Sequence, residues 1–185
     1  MNTNNIIAIL GQTGSGKSTL SKLLAKRLGY KRILEYTTRP MRDGEVNHME
    51  YHFISNEEFL KLIEQDAFVS YKYFDTIYGR WYYGSIEKDY AENGVIVINP
   101  GALKLLNERG IKSTSIYIKL DDEVILGRLS GRGDDVHEVQ RRLDTDRPLF
   151  DELPGYVNII VDGTHTPEQL VEEIISLIKE ENNDA

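Results

Sequence analysis

Cysteine is absent from the 185 residues, so the chain has neither a disulfide framework nor thiol chemistry. Positive charge is in deficit: 22 lysines and arginines against 30 acidic residues leave a net charge of −8. A chain of that balance repels polyanions, which argues against nucleic acid as a partner and makes any phosphate-binding charge a local feature. Long hydrophobic runs are also missing. The apolar run after MNTNN ends at Gly11, and no basic residue precedes it. Neither a signal peptide nor a membrane span is therefore expected, and the expected location is the cytoplasm. Internal repeats and low-complexity segments are lacking. The histidines, His48, His52, His137 and His165, show no metal-ligand spacing.

What is present suffices for one α/β domain, with 40% hydrophobic residues to build a core. The chain is organised around Ile6 to Leu28. Ile6–Leu10 is a short apolar run that suits a strand buried on both faces. Gly11-Gln12-Thr13-Gly14-Ser15-Gly16-Lys17-Ser18 follows at once and fits the phosphate-loop pattern GxxxxGK[ST]. Leu20, Leu23, Leu24 and Leu28 then recur at helical spacing. Glycines let such a loop turn tightly and approach a ligand, so that its N–H groups converge on phosphate oxygens at the positive end of the helix. Lys17 can reach the β- and γ-phosphates and the Ser18 hydroxyl can ligate Mg²⁺. The candidate ATP-binding residues are Gly11, Thr13, Gly14, Ser15, Gly16, Lys17, Ser18 and Thr19, with Ser18 as the metal ligand.

Downstream, Lys31–Thr37 reads as a strand, Pro40 and Gly44 mark a loop, and Glu50–Ile54 reads as a second strand. Asn56 can cap a helix bearing Phe59, Leu60 and Ile63. Ala67–Phe74 and Ile77–Tyr83 read as two strands of a small α+β excursion. Ser85 is expected to cap a helix to about Glu92. Strands are expected at Gly94–Ile98, Ser113–Leu120 and Tyr156–Val161, with helices between them and a last helix opened by Thr166-Pro167-Glu168. A helix from Val136 to Asp146 is expected to stop at Pro148. Alternating strands and helices imply a parallel sheet covered on both faces.

The phosphate loop, followed by Thr38-Arg39-x-x-Arg42-x-Gly44-Glu45 and Tyr51-x-Phe53, resembles the guanylate kinase family. Tyr83-Gly84-Ser85, Arg128, Gly131-Arg132-Gly133 and Arg141-Arg142-Leu143 extend the resemblance, in order, from about residue 6 to residue 145. Members transfer the γ-phosphoryl group of ATP to a nucleoside monophosphate. The resemblance implies a P-loop NTPase-type three-layer α/β fold with a parallel sheet, a small α+β monophosphate-binding region and a helical lid. Its core would be residues 1–34, 85–127 and 143–185, its monophosphate region 35–84 and its lid 128–142. It also implies Mg²⁺ with ATP as co-substrate, and a monomer or homodimer. Arg39, Arg42, Tyr51 and Tyr83, with Glu45, match the grip on the acceptor's phosphate. Arg132 and Arg142 match lid arginines that close on the transferring group, which with Lys17 and Arg39 makes the candidate catalytic set. Arginine suits this work because its planar fork binds phosphate bidentately.

Departures from the family pattern fall where the acceptor base is read. Glu35 stands where a serine is usual, and Ser70 where a glutamate is usual. Val97 and Asn99 replace strand-end aspartates, and extra length between Phe74 and Tyr83 carries Arg80 and Trp81. Guanine offers O6 as acceptor with N1–H and N2–H₂ as donors. The hydroxyl and carboxylate that suit it are present in exchanged positions. Either the base of GMP or dGMP sits turned over, or the acceptor is a different or modified nucleotide. A third alternative is a guanylate kinase-like protein-interaction module without catalysis, although the phosphate-handling residues are all present.

Overall fold

The computed structural model describes residues 5–131 and 136–183. In chain order the elements are β1 (Ile6–Leu10), α1 (Lys17–Leu28), β2 (Lys31–Ile33), β3 (Tyr36–Thr37), β4 (His52–Phe53), α2 (Asn56–Glu64), β5 (Phe68–Thr76) and β6 (Gly79–Ile86). Then come β7 (Gly94–Val97), α3 (Pro100–Glu108), β8 (Ser113–Lys119), α4 (Asp122–Ser130), α5 (Val136–Asp151), β9 (Ile159–Asp162) and α6 (Pro167–Asn183).

A parallel sheet in the order β2-β7-β1-β8-β9 forms the middle layer. Its central strand β1 is buried throughout, and successive side chains enter opposite cores. Ile6, Ala8 and Leu10 pack with Leu103 and Leu106 of α3 and Phe150 of α5. Ile7 and Ile9 pack with Leu20 and Leu24 of α1 and Leu170 and Ile174 of α6. The result is a three-layer α/β/α fold. Burial of that apolar area, at about 25 cal/mol per Å², is the main force holding the layers.

A second sheet, ordered β4-β3-β6-β5, stands beside the first. Strand β3 runs parallel to β4 and antiparallel to β6, and β5–β6 is a long antiparallel hairpin. One face is sealed by α2, where Phe59 stacks on Phe68 with centroids 4.3 Å apart and on Tyr82 at 5.2 Å.

Several local expectations are corrected. The expected strand 31–37 is split, because β2 pairs with β7 in the first sheet and β3 with β4 and β6 in the second. Leu34 and Glu35 are the crossing between sheets. Only His52–Phe53 of the expected strand 50–54 is paired. Ser55, not Asn56, caps α2: its hydroxyl accepts from Glu58 N (3.1 Å), and the Glu58 carboxylate accepts from Ser55 N (2.8 Å). This reciprocal box satisfies two otherwise orphaned donors.

Ser85 caps no helix. Strand pairing carries β6 on to Ile86, and a single 3₁₀ turn, Glu87–Tyr90, follows. Pro148 lies inside α5 rather than ending it. The carbonyl that its missing N–H leaves unserved belongs to Asp144, an exposed residue, while Leu143 and Phe150 on either side are buried. Core packing there outweighs the local penalty. The last strand starts at Ile159, three residues later than expected, because a turn occupies Leu153–Gly155.

Candidate active site

The loop between β1 and α1 is shaped by its glycines. Gly16 sits at the N-cap of α1 with φ 89°, a left-handed conformation that side chains disfavour. At Gly11 a Cβ would lie 2.6 Å from Ser15 Oγ and 3.1 Å from the Ile118 carbonyl, so only glycine fits the turn. No side chain caps α1, so its first N–H groups remain for an anion. Ser15 is buried, Thr13 and Gly14 are half-buried, and Ser18 and Thr19 are exposed on the first helical turn.

Lys17 folds back over the loop, donating from Nζ to the Gln12 carbonyl at 2.6 Å and to Ser15 Oγ at 3.4 Å. Desolvation lowers its pKa to about 8; Asp146 of α5 opposes the shift and Lys72 of β5 adds to it. Charges from two other elements thus act on this amine.

The loop that leaves β3 of the second sheet carries Arg39. Its guanidinium is 5% exposed and binds Glu45 through Nη1–Oε2 (2.9 Å) and Nη2–Oε1 (2.7 Å). It also donates to the Pro40 carbonyl at 2.7 Å, and the rings of Tyr51 and Phe53 lie 5.5 and 5.4 Å from its centre. Glu45 accepts from Arg42 N at 2.7 Å as well, fixing the loop that carries the exposed Arg42 side chain. The hydrogen bonds from Arg39, with the Arg42 contact, hold the Glu45 carboxyl below its usual range. Tyr83 stands edge-on to Tyr51 at 6.0 Å and helps hold the charge on Arg39.

Glu35 lies half-buried at the crossing between sheets, and its carbonyl accepts from His52 N at 2.9 Å. Burial raises its carboxyl above the ordinary value, with Lys72 pulling the other way. Its charge is felt by Tyr51 and Tyr90. Tyr90 donates to Ser85 Oγ at 2.8 Å, and Ser85 faces the buried Ser70 across the β5–β6 ladder. Glu35, Tyr83 and Arg39 all act on Tyr51 electrostatically, and Lys72 acts on both Glu35 and Lys17. Asn99 has a structural bond of its own. Its Oδ1 accepts from Ala102 N at 2.9 Å and caps α3.

Arg132 lies outside the described residues, as does the side chain of Arg142, whose backbone is in α5. Arg128 donates to the Gly163 carbonyl at 2.8 Å, tying the end of α4 to the turn after β9. Lys72 and Asp146 were not singled out from the sequence. The strand period could have found Lys72, since it sits two residues from Ser70 and so on the same face.

A phosphate loop on the central strand of a parallel sheet, in a chain that also holds a buried arginine–carboxylate pair beside its second sheet, is the arrangement of a P-loop kinase. Comparison with known proteins narrows the class. The family model described as Guanylate kinase matches residues 3–181. A protein named Guanylate kinase from Neisseria gonorrhoeae is 39% identical over 166 residues, covering 85% of this chain and 80% of that one. Another of that name, from Fusobacterium nucleatum, is 29% identical over 187 residues, covering 97% and 98%. Among solved structures, guanylate kinase from Anaplasma phagocytophilum superposes with a TM-score of 0.70 at 19% identity, over 97% of this chain and 86% of that one. Shikimate kinase from Aquifex aeolicus gives 0.53 at 20% identity, over 96% and 98%. Both structural likenesses speak for the fold. The chain belongs to the guanylate kinase family, and it is a nucleoside monophosphate kinase.

Proposed function

We propose that the chain transfers the γ-phosphoryl group of ATP to GMP or dGMP, yielding ADP and the guanosine diphosphate. The observation that carries this is the buried Arg39–Glu45 pair with Tyr51 and Tyr83 around it, in a chain whose phosphate loop carries Lys17. It is a preformed seat for one phosphate facing a loop built for another.

Residues 11–19 hold the ATP phosphates through backbone N–H groups and the Lys17 amine, which leaves the Gln12 carbonyl to do so. Arg39, Arg42, Tyr51 and Tyr83 hold the acceptor's phosphate, with Glu45 fixing the two arginines. An oxygen of that phosphate attacks the γ-phosphorus, and the bond to the β–γ bridging oxygen breaks, leaving ADP. The protein's contribution is alignment and neutralisation of charge on the equatorial oxygens. Arg132 and Arg142, in the proposed lid of residues 128–142, add positive charge to the transferring group. Residues 35–84 form the acceptor region.

The donor set suits Mg²⁺. Ser18 offers one hard hydroxyl oxygen beside the loop, and among the described residues no three His, Asp or Glu side chains gather to hold a metal. The ion would arrive with ATP and keep phosphate and water oxygens as its other ligands. When bound, Mg²⁺ neutralises charge on the β- and γ-phosphates.

Glu35, Ser70 and Asn99 are the proposed contacts of the acceptor base. A carboxylate at Glu35 accepts from guanine N1–H and N2–H₂, which supports a guanine turned relative to the usual family arrangement. Glu35 would also accept from the amine of adenine or cytosine, which favours the second reading, a kinase for another nucleotide. No helix among the described residues is long and apolar enough to cross a membrane. A cytoplasmic monomer or homodimer with no nucleic-acid partner completes the proposal. The test is ADP release from ATP and Mg²⁺ against ribo- and deoxyribonucleoside monophosphates. GMP and dGMP should lead the ranking; another base at its head would select the second reading, and no turnover would leave the interaction module.

A further inference from the structure

We infer that Lys72 is a further catalytic residue, whose ammonium contacts the phosphoryl group as it passes from ATP to the acceptor. The inference rests on the kinase reading above. Lys72 lies on β5 between Ser70 and Phe74, and strand alternation puts all three on the cleft side of the second sheet. Its cross-strand partner on β6 is Tyr83, the tyrosine that helps hold Arg39. The ammonium stands 5.7 Å from the Phe74 ring centre, and that ring is edge-on to Tyr83 at 5.7 Å. Lys72 is thus held beside the acceptor's phosphate seat by an aromatic shelf.

The charge of Lys72 lowers the proton affinity of Lys17 and favours the ionised carboxyl of Glu35. No carboxylate lies within ion-pairing distance of Lys72 among the described residues. Two half-buried lysines of like charge, one at the start of α1 after the phosphate loop and one across the ladder from Tyr83, are poorly matched to each other. They are well matched to an anion between them. In the proposed reaction that anion is the transferring phosphoryl group, whose charge spreads over its equatorial oxygens.

The rival role is neutralisation of Glu35, which would make Lys72 a reader of the base. Lys72→Met, Lys72→Arg and Glu35→Gln separate the two. Turnover is measured with GMP and with every other accepted monophosphate, alongside melting temperature and affinity for a bisubstrate analogue, adenosine and guanosine joined through five phosphates. Lys72→Met should lower kcat by about 10²-fold, the size of losing one preorganised charge at a transition state. The loss should be equal for all acceptors, KM for GMP should move less than about threefold, and the analogue should bind at least about tenfold more weakly. Lys72→Arg should recover part of kcat. Unchanged kcat in Lys72→Met overturns the proposal while the kinase reading stands. So does a loss confined to one base and reproduced by Glu35→Gln, or one matched by a collapse in melting temperature that Lys72→Arg does not repair. If the natural protein phosphorylates no monophosphate, both readings fail together.

Discussion

Arg39 and Glu45 meet through two parallel hydrogen bonds of 2.9 and 2.7 Å, with the guanidinium only 5% exposed. A guanidinium carries five N–H donors. Glu45 takes two and the Pro40 carbonyl a third, so the fork is locked before any ligand arrives. The same carboxylate accepts from Arg42 N. One glutamate therefore positions two arginines.

Glu45→Gln should weaken every accepted monophosphate by a similar factor, about 1.5–3 kcal/mol for a lost charged hydrogen bond, with little change in KM for ATP. Steady-state kinetics with GMP and dGMP checks this. The pH dependence follows in sign. The carboxyl of Glu45 is held below its ordinary 4.5, so its contribution to stability is complete above that value and is lost as pH falls through the lower folded one. The acid melting curves of the natural protein and Glu45→Gln should converge there.

Lys17→Ala should keep the fold and lower kcat by at least about 10²-fold, because its charge is placed where negative charge develops. Circular dichroism with a turnover assay decides it. Near-normal turnover would remove the phosphate loop from the mechanism.

Glu35 gives a prediction of opposite sign for stability and for binding. Burial raises its carboxyl above the ordinary 4.5, so ionisation is costlier in the folded state. Stability is then fullest below 4.5 and falls as pH rises through the higher folded value. Glu35→Gln should melt higher than the natural protein near neutral pH, and the gap should close on acidification. The same change should discriminate against the native base by about 1–3 kcal/mol, since it turns an acceptor into a donor. If thermal scans across pH show no gap and the ranking of monophosphates is unaltered, Glu35 is a surface carboxylate.

Restoring the usual family arrangement probes the same cleft a second way. Glu35→Ser with Ser70→Glu should raise GMP use relative to other monophosphates if the natural acceptor base is not guanine, and lower it if guanine sits turned over. An unchanged ranking would move base choice elsewhere, to the hairpin that carries Arg80 and Trp81.

The parts legible in the sequence were those where one local pattern acts alone. The run Ile6–Leu10, the glycines up to Gly16 and the leucines of α1 each have a single physical reading, and the structure places strand, loop and helix there. Where two forces compete, the local pattern misleads. Lys31–Thr37 looks continuous, but its halves are claimed by different sheets. Pro148 looks like a stop, but flanking core contacts carry α5 past it. In the site, Arg39 and Glu45 are close in sequence and so could be found, whereas Lys72 and Asp146 approach Lys17 only through tertiary folding. The strand period puts Lys72 on the face of Ser70, but nothing local marks its approach, or that of Asp146, to Lys17.

The central claim, phosphoryl transfer from ATP to a guanine monophosphate, is tested most directly by following the transferred atom. The natural protein is incubated with Mg²⁺, GMP and ATP carrying a radioactive γ-phosphorus, and the nucleotides are separated. The expected result is label in the β-position of GDP, appearing in step with ADP. Label released as inorganic phosphate, or found in a different nucleoside diphosphate when a mixture of monophosphates is offered, would contradict it.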